Sequence, residues 1–134
     1  MAYSGVTVQK GEKGGEIVSD SGARDLPHQV NCVEYVTREA TGERYVIMDR
    51  IFIDQDTGRM SDFYIELSDR YTLKVLISVD CAHRVAHYHD ERNGHQGSPR
   101  YEFAPATTHN EIEAAHAHAM SNIRAFGRSK GIIL

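Results

Sequence analysis

The sequence predicts an α+β domain: an antiparallel β-sheet meander of about five to six strands, with one C-terminal helix packed on a face. Three observations predict it. Apolar residues alternate with period two through successive segments between positions 29 and 104, the spacing of side chains that share one face of a strand. The segments are joined by turns too short for a crossover, so neighbouring strands run antiparallel. From Thr107 onward the apolar spacing becomes that of a helix. The chain of 134 residues suffices for one domain with its own core.

The elements follow in order. Residues 1–27 are rich in Gly, Ser, Lys and Glu, and "KGEKGGE" (Lys10–Glu16) offers no core. They read as a flexible arm, or as a loose hairpin of Val6–Val8 with Ile17–Val18, ahead of a single domain over 28–134. "QVNCVEYV" (Gln29–Val36) is a strand and "ATG" (Ala40–Gly42) a turn. The next strand, Glu43–Asp54, is apolar on both parities. That predicts burial on both faces, or a bulge at Asp49–Arg50. "DQDTGR" (Asp54–Arg59) is a hairpin turn that lacks the later ligands of a calcium loop. Ser61–Ser68 points Phe63, Ile65 and Leu67 inward. Tyr71–Val79 does the same with Tyr71, Leu73, Val75, Ile77 and Val79. "HRVAHYHD" continues as a strand, Glu91–Pro99 loops through the turn dipeptide Asn93–Gly94, and Arg100–Ala104 is a last short strand. In the tail, Thr108 and Glu111 form a capping box. Ile112, Ala115, Ala119, Ile123 and Phe126 make one apolar stripe, and Gly127 is placed as the C-terminal cap.

Composition narrows the function classes. The net charge of −4 with neutral histidines argues against bulk, non-specific nucleic-acid affinity. No apolar run reaches the ~18–20 residues of a membrane span, and the first residues lack a signal core. Two cysteines far apart, Cys32 and Cys81, fit a reducing compartment. The expectation is a cytoplasmic protein with no membrane contact. Eight histidines are the anomaly.

Three of them stand in "DCAHRVAHYHD" (Asp80–Asp90). In an extended strand His83, Val85, His87 and His89 share a face. Cys81 to His89 would then span about 26 Å, too far for one zinc shell. Only His87 and His89 sit close enough to share zinc or another divalent ion, with a third ligand from Glu91, His95 or the helix. Chemistry without a cofactor needs less. Two imidazoles act as base and acid across a phosphodiester, with Asp80 or Asp90 orienting them. Arg84, Arg92 or Arg100 would steady the developing charge, and Tyr88 would stack on a base. The strand sets Arg84 and Tyr88 on the face opposite the histidines. Elsewhere, Glu113 and His116 share the helix at the i, i+3 spacing of di-iron bundles, but one helix cannot complete such a site. His116 reads as a packed residue and His118 as a solvated one.

The stretch "LKVLISVDCAHRVAHYHDERNG" resembles the central segment of small prokaryotic toxins of the TumE type, over roughly residues 61–126. The resemblance implies the toxin half of a toxin–antitoxin pair, acting on nucleic acid. It carries over Asp80, His83, His87 and His89. The leading expectation is therefore a small histidine-dependent ribonuclease. Its catalytic residues would be Asp80, His83, His87 and His89, its substrate contacts Arg84, Tyr88, Arg92 and Arg100, and its partner RNA or a cognate antitoxin. One alternative is a non-catalytic binding module, an inhibitor or adaptor from a mobile element. The other is a metal-binding protein using the His-x-His strand. An exposed edge strand is compatible with a homodimer.

Overall fold

The computed structural model describes residues 31–134 and the backbone of the strand Tyr3–Lys10. Among the described residues seven strands form one sheet in chain order: β1 (Tyr3–Lys10), β2 (Cys32–Thr41), β3 (Tyr45–Asp54), β4 (Met60–Asp69), β5 (Lys74–Asp80), β6 (Val85–Asp90) and β7 (Arg100–Pro105). Every neighbouring pair is antiparallel. One helix, α1 (His109–Ser129), follows. This is the α+β meander that the alternating segments predict. The strand beyond the expected five to six is β1, which pairs with β2 from Lys10↔Val33 to Tyr3↔Glu39. Ile17–Val18, the other half of the expected hairpin, lies outside the described residues.

α1 packs against β4, β5 and β7. Its buried residues are Ile112, Ala115, Ala119, Ile123 and Gly127, and they meet Phe63, Ile65, Leu67, Ile77 and Val79 of the sheet. Burying a side chain the size of Ile112 or Ile123 stabilises the fold by about 1.5–3 kcal/mol. At the N-terminus Thr108 accepts the Glu111 N–H (3.1 Å). The Glu111 carboxylate reaches one residue further back than in a standard capping box, to the N–H and hydroxyl of Thr107.

The C-terminal cap differs from the expectation. Gly127 is a core position inside the helix, where an added Cβ would lie 3.1 Å from Leu67 Cδ2 and 3.2 Å from Leu134 Cδ1. The capping glycine is Gly131, at φ 93°. Its N–H reaches the Arg128 carbonyl and the Ile132 N–H reaches that of Gly127, the Schellman pattern. The stripe made Gly127 look like the end of the helix, because a glycine there also fits a close helix–sheet approach.

Two strand expectations also change. β3 is buried on both faces, through Ile47 on one and Met48 and Phe52 on the other. The register shift lies at Phe52/Ile53, not at Asp49–Arg50. β5 begins at Lys74, so Tyr71 and Leu73 belong to the exposed β4–β5 turn. Asp69 closes that turn by accepting the N–H groups of Tyr71 and Thr72. These hydrogen bonds end the strand, although the apolar alternation runs through them.

The face away from α1 carries buried polar side chains, among them Ser78, Asp80 and His87, beside a small apolar cluster of Val36, Met48 and Tyr64. The ladders align one row as Val36, Arg50, Tyr64, Asp80, His87 and Glu102. The adjacent row is Arg38, Met48, Glu66, Ser78, His89 and Arg100. Paired residues point to the same side of a sheet, so residues distant in sequence meet on this face.

Candidate functional site

The segment Asp80–Asp90 is a hairpin and not one strand. The chain leaves β5 at Asp80, turns through Cys81–Arg84 and returns as β6. His83 (φ 59°) and Arg84 (φ 65°) make the turn in left-handed backbone, a conformation uncommon in residues other than glycine, asparagine and aspartate. The Ala82 N–H donates to Asp80 Oδ1 (3.0 Å) and fixes the start of the turn. The reversal sets Asp80 opposite His87 and Ser78 opposite His89. The expected 26 Å extension from Cys81 to His89 is thereby overturned.

Asp80, His87 and His89 converge. His87 Nε2 lies 2.9 Å from Asp80 Oδ1, and His89 Nε2 lies 3.7 Å from Asp80 Oδ2. One ligand atom from each residue falls within 4.8 Å of the others. The two imidazole centroids are 4.7 Å apart. The Asp80 and His87 side chains are 4% and 2% exposed, and that of His89 is 13% exposed. Asp80 Oδ2 has no hydrogen-bond partner, since 3.7 Å is beyond hydrogen-bond reach. A buried orphan acceptor of this kind calls for an explanation.

The proton positions follow from the partners. His87 Nδ1 lies 2.8 Å from the Val85 carbonyl oxygen. A carbonyl only accepts, so Nδ1 carries the hydrogen and donates. In the neutral ring, Nε2 is then a lone pair aimed at a carboxylate oxygen. Only a proton or another cation between them makes that contact favourable. Burial works to raise Asp80, but the hydrogen bond and charge of His87, the Ala82 N–H and His89 outweigh it and hold the carboxyl below its usual range. Burial lowers His89, with Asp80 opposing, so its ring favours the neutral form.

An outer layer orients the cluster. His89 Nδ1 meets Ser98 Oγ at 2.9 Å. Glu91, also buried, accepts the hydroxyl of Ser78 and lies 3.1 Å from His95 Nδ1. The His95 ring stands 5.3 Å from that of His89. His95 and Ser98 both come from the β6–β7 loop, which bends back over the sheet through Gly94 (φ 100°) and Gly97 (φ 74°).

The remaining sequence candidates lie elsewhere. His83 and Arg84 are exposed in the turn, outside the cluster. Tyr88 faces α1, stacked on Phe126 at 4.2 Å and beside Phe103 at 4.8 Å. It is a core residue and not a surface for a base. Arg92 is tied to Asp90 and to the Lys130 carbonyl. Arg100 shares a face with His89 across the ladder, and its guanidinium lies 3.5 Å from Glu102. Cys81 donates to Asp62 Oδ1 at 3.1 Å, and burial first, then Asp62, push the thiol far up. It is a poor ligand or nucleophile as it stands. Neither Cys32 nor Cys81 is in a disulfide among the described residues. Glu113 and His116 go separate ways, to Arg59 and Asp49 respectively. Sequence reasoning missed Ser78 and Ser98. Single serines carry no spacing signal, and only the folded ladder and loop bring them to the histidines.

The chain is thus an antiparallel meander with one docked helix, carrying on the opposite face a cluster of buried Asp80 and His87 with partly buried His89. No family model, curated protein or solved structure matches the chain. Among the described residues, no helix is long and apolar enough to cross a membrane.

Proposed function

We propose that this protein binds one divalent transition-metal ion through Asp80, His87 and His89. The carrying observation is the convergence of three ligand atoms within 4.8 Å, one of them close to an orphaned buried carboxylate oxygen. The outer contacts fit the same reading. Metal-bound histidines characteristically give their second ring nitrogen to a carbonyl, carboxylate or hydroxyl, as His87 does to Val85 and His89 does with Ser98. Two imidazoles and a carboxylate suit zinc, iron(II) or manganese(II). Bound donors lie about 2.0–2.2 Å from such ions, so binding draws the three side chains slightly inward. Three protein ligands leave coordination positions for water or a substrate, as in catalytic metal sites.

The test is metal analysis of protein purified without a polyhistidine tag, before and after incubation with each ion. About one equivalent retained by the wild type, and lost in Asp80→Ala and His89→Ala, is the expected result. Protein that holds none of these ions after reconstitution overturns the reading.

One observation favours a second reading, the metal-independent ribonuclease of a toxin–antitoxin pair. An Asp80–His87 pair, a second imidazole at His89 and Arg100 in register beside it are the parts that acid–base cleavage of RNA uses. RNA cleavage that persists in EDTA with a bell-shaped pH profile, and disappears in His87→Ala, is its signature. The near-complete burial of His87 weighs toward the metal, because a small ion reaches such a ring more readily than a ribose does.

A further inference from the structure

We propose that His95 is the port through which the ion passes between solvent and the Asp80–His87–His89 cluster, an inference that rests on the metal-binding reading above. The cluster is nearly closed, and His89 is its most exposed member at 13%. A hydrated cation sheds its water in steps, each lost water being replaced by a protein donor. The exposed donor beside His89 is His95. Its side chain is 49% exposed and its ring stands 5.3 Å from the His89 ring.

Its partners prepare it for capture. His95 Nδ1 lies 3.1 Å from a Glu91 carboxylate oxygen, and the tautomer that donates from Nδ1 to that acceptor presents its Nε2 lone pair to an incoming cation. The Ser78 hydroxyl holds Glu91 in place. The carboxylate also adds negative charge at the mouth, which draws a cation in. The same loop reaches the inner ligand as well. The Ser98 N–H donates to the His95 carbonyl (3.0 Å), while Ser98 Oγ contacts His89 Nδ1. A shift of the 95–98 turn therefore moves the port and the support of His89 together. Gly94 precedes this turn and Gly97 lies within it, both at positive φ, and a Cβ on either would touch nothing within 4 Å. These glycines serve backbone conformation and not close packing.

A port and a ligand leave different traces. A port speeds binding and release equally and leaves the equilibrium unchanged, whereas a ligand sets the affinity. The experiment uses cobalt(II) as the probe. Stopped-flow absorbance follows its uptake by the apo protein, and EDTA extraction follows its release, in wild type, His95→Ala and His95→Gln. Uptake and extraction both slowed by about tenfold or more, with the dissociation constant within about threefold of wild type, is the expected result. Unchanged rates in both variants overturn the proposal. So does a dissociation constant raised about a hundredfold at unchanged uptake, which makes His95 a ligand. Wild-type protein that takes up no cobalt, zinc, iron or manganese removes the metal-binding reading itself, and it does so before any variant is compared.

Discussion

At the scale of single residues, Asp80 is the centre of the polar cluster. It accepts the Ala82 N–H, pairs with His87 and offers a free oxygen toward His89. Replacing His87 with alanine strands a buried carboxylate, which costs about 3–5 kcal/mol when one partner of a buried pair is removed. Urea denaturation of apo His87→Ala measures that loss. Asp80→Asn keeps the shape but removes the charge a cation needs. Its metal affinity, read by calorimetry, should drop by more than the roughly 10–100-fold typical of an outer-layer change. Ser98→Ala is such an outer-layer change and should fall inside that range. Histidine and carboxylate bind a metal ion only in their deprotonated forms, so affinity weakens as pH falls and binding releases protons. Calorimetry in buffers of different ionisation enthalpy counts them.

At the scale of elements, α1 and β6 carry opposite duties. β6 turns His87 and His89 to one face and Tyr88 to the other, where Phe126 covers it. Tyr88→Ala should therefore destabilise the protein by about 3–5 kcal/mol, as large-to-small aromatic changes in a core do, while the cluster keeps its ligands. For α1, Gly127→Ala sets two effects against each other. Helix propensity favours alanine by about 1 kcal/mol, but the new methyl meets Leu67 at 3.1 Å. Leu67 is fully buried and cannot yield, and overpacking of this kind costs about 1–3 kcal/mol. The variant should be less stable by about 1 kcal/mol in thermal unfolding.

At the scale of the whole molecule, the helix is fastened to the sheet by ion pairs as well as by its apolar stripe. Arg59 in the β3–β4 turn holds Glu113 through two nitrogens, at 2.8 and 2.9 Å. His116 lies 2.9 Å from both carboxylate oxygens of Asp49. Arg59, with the Met60 N–H, lowers the Glu113 carboxyl to about 2. A carboxyl lowered by folding adds stability that is fully present above its unfolded value of about 4.3. That stability is lost as pH falls through the folded value of about 2. Glu113→Gln should therefore melt below wild type at neutral pH. The gap should close between pH about 4.3 and about 2, which melting curves across that range would show. Unequal melting that persists at the acid end would mean Glu113 acts through something other than this charge.

Much of this molecule is legible in the chain itself. Period-two alternation in Ser61–Ser68 and the stripe from Ile112 to Ile123 fix which sides face the core, because side-chain direction in regular structure is a local consequence of backbone geometry. The clustering of histidines likewise marks β6 as the region to watch. What the chain does not disclose is where it reverses without a glycine, asparagine or proline to signal it. His83 and Arg84 take left-handed backbone, and that turn alone brings Asp80 to His87. Glu91 and His95 are candidates by their nearness in sequence, but local pattern does not reveal that Ser78 and Ser98 join them beside His89, since ladder register and a folded-back loop are set by contacts between distant residues. Local pattern along the chain suffices for the meander, the helix and the faces they bury. The meeting of a carboxylate and two imidazoles is a product of the fold, because a site is a matter of distance in space, and spacing along the chain measures that distance only within a single element.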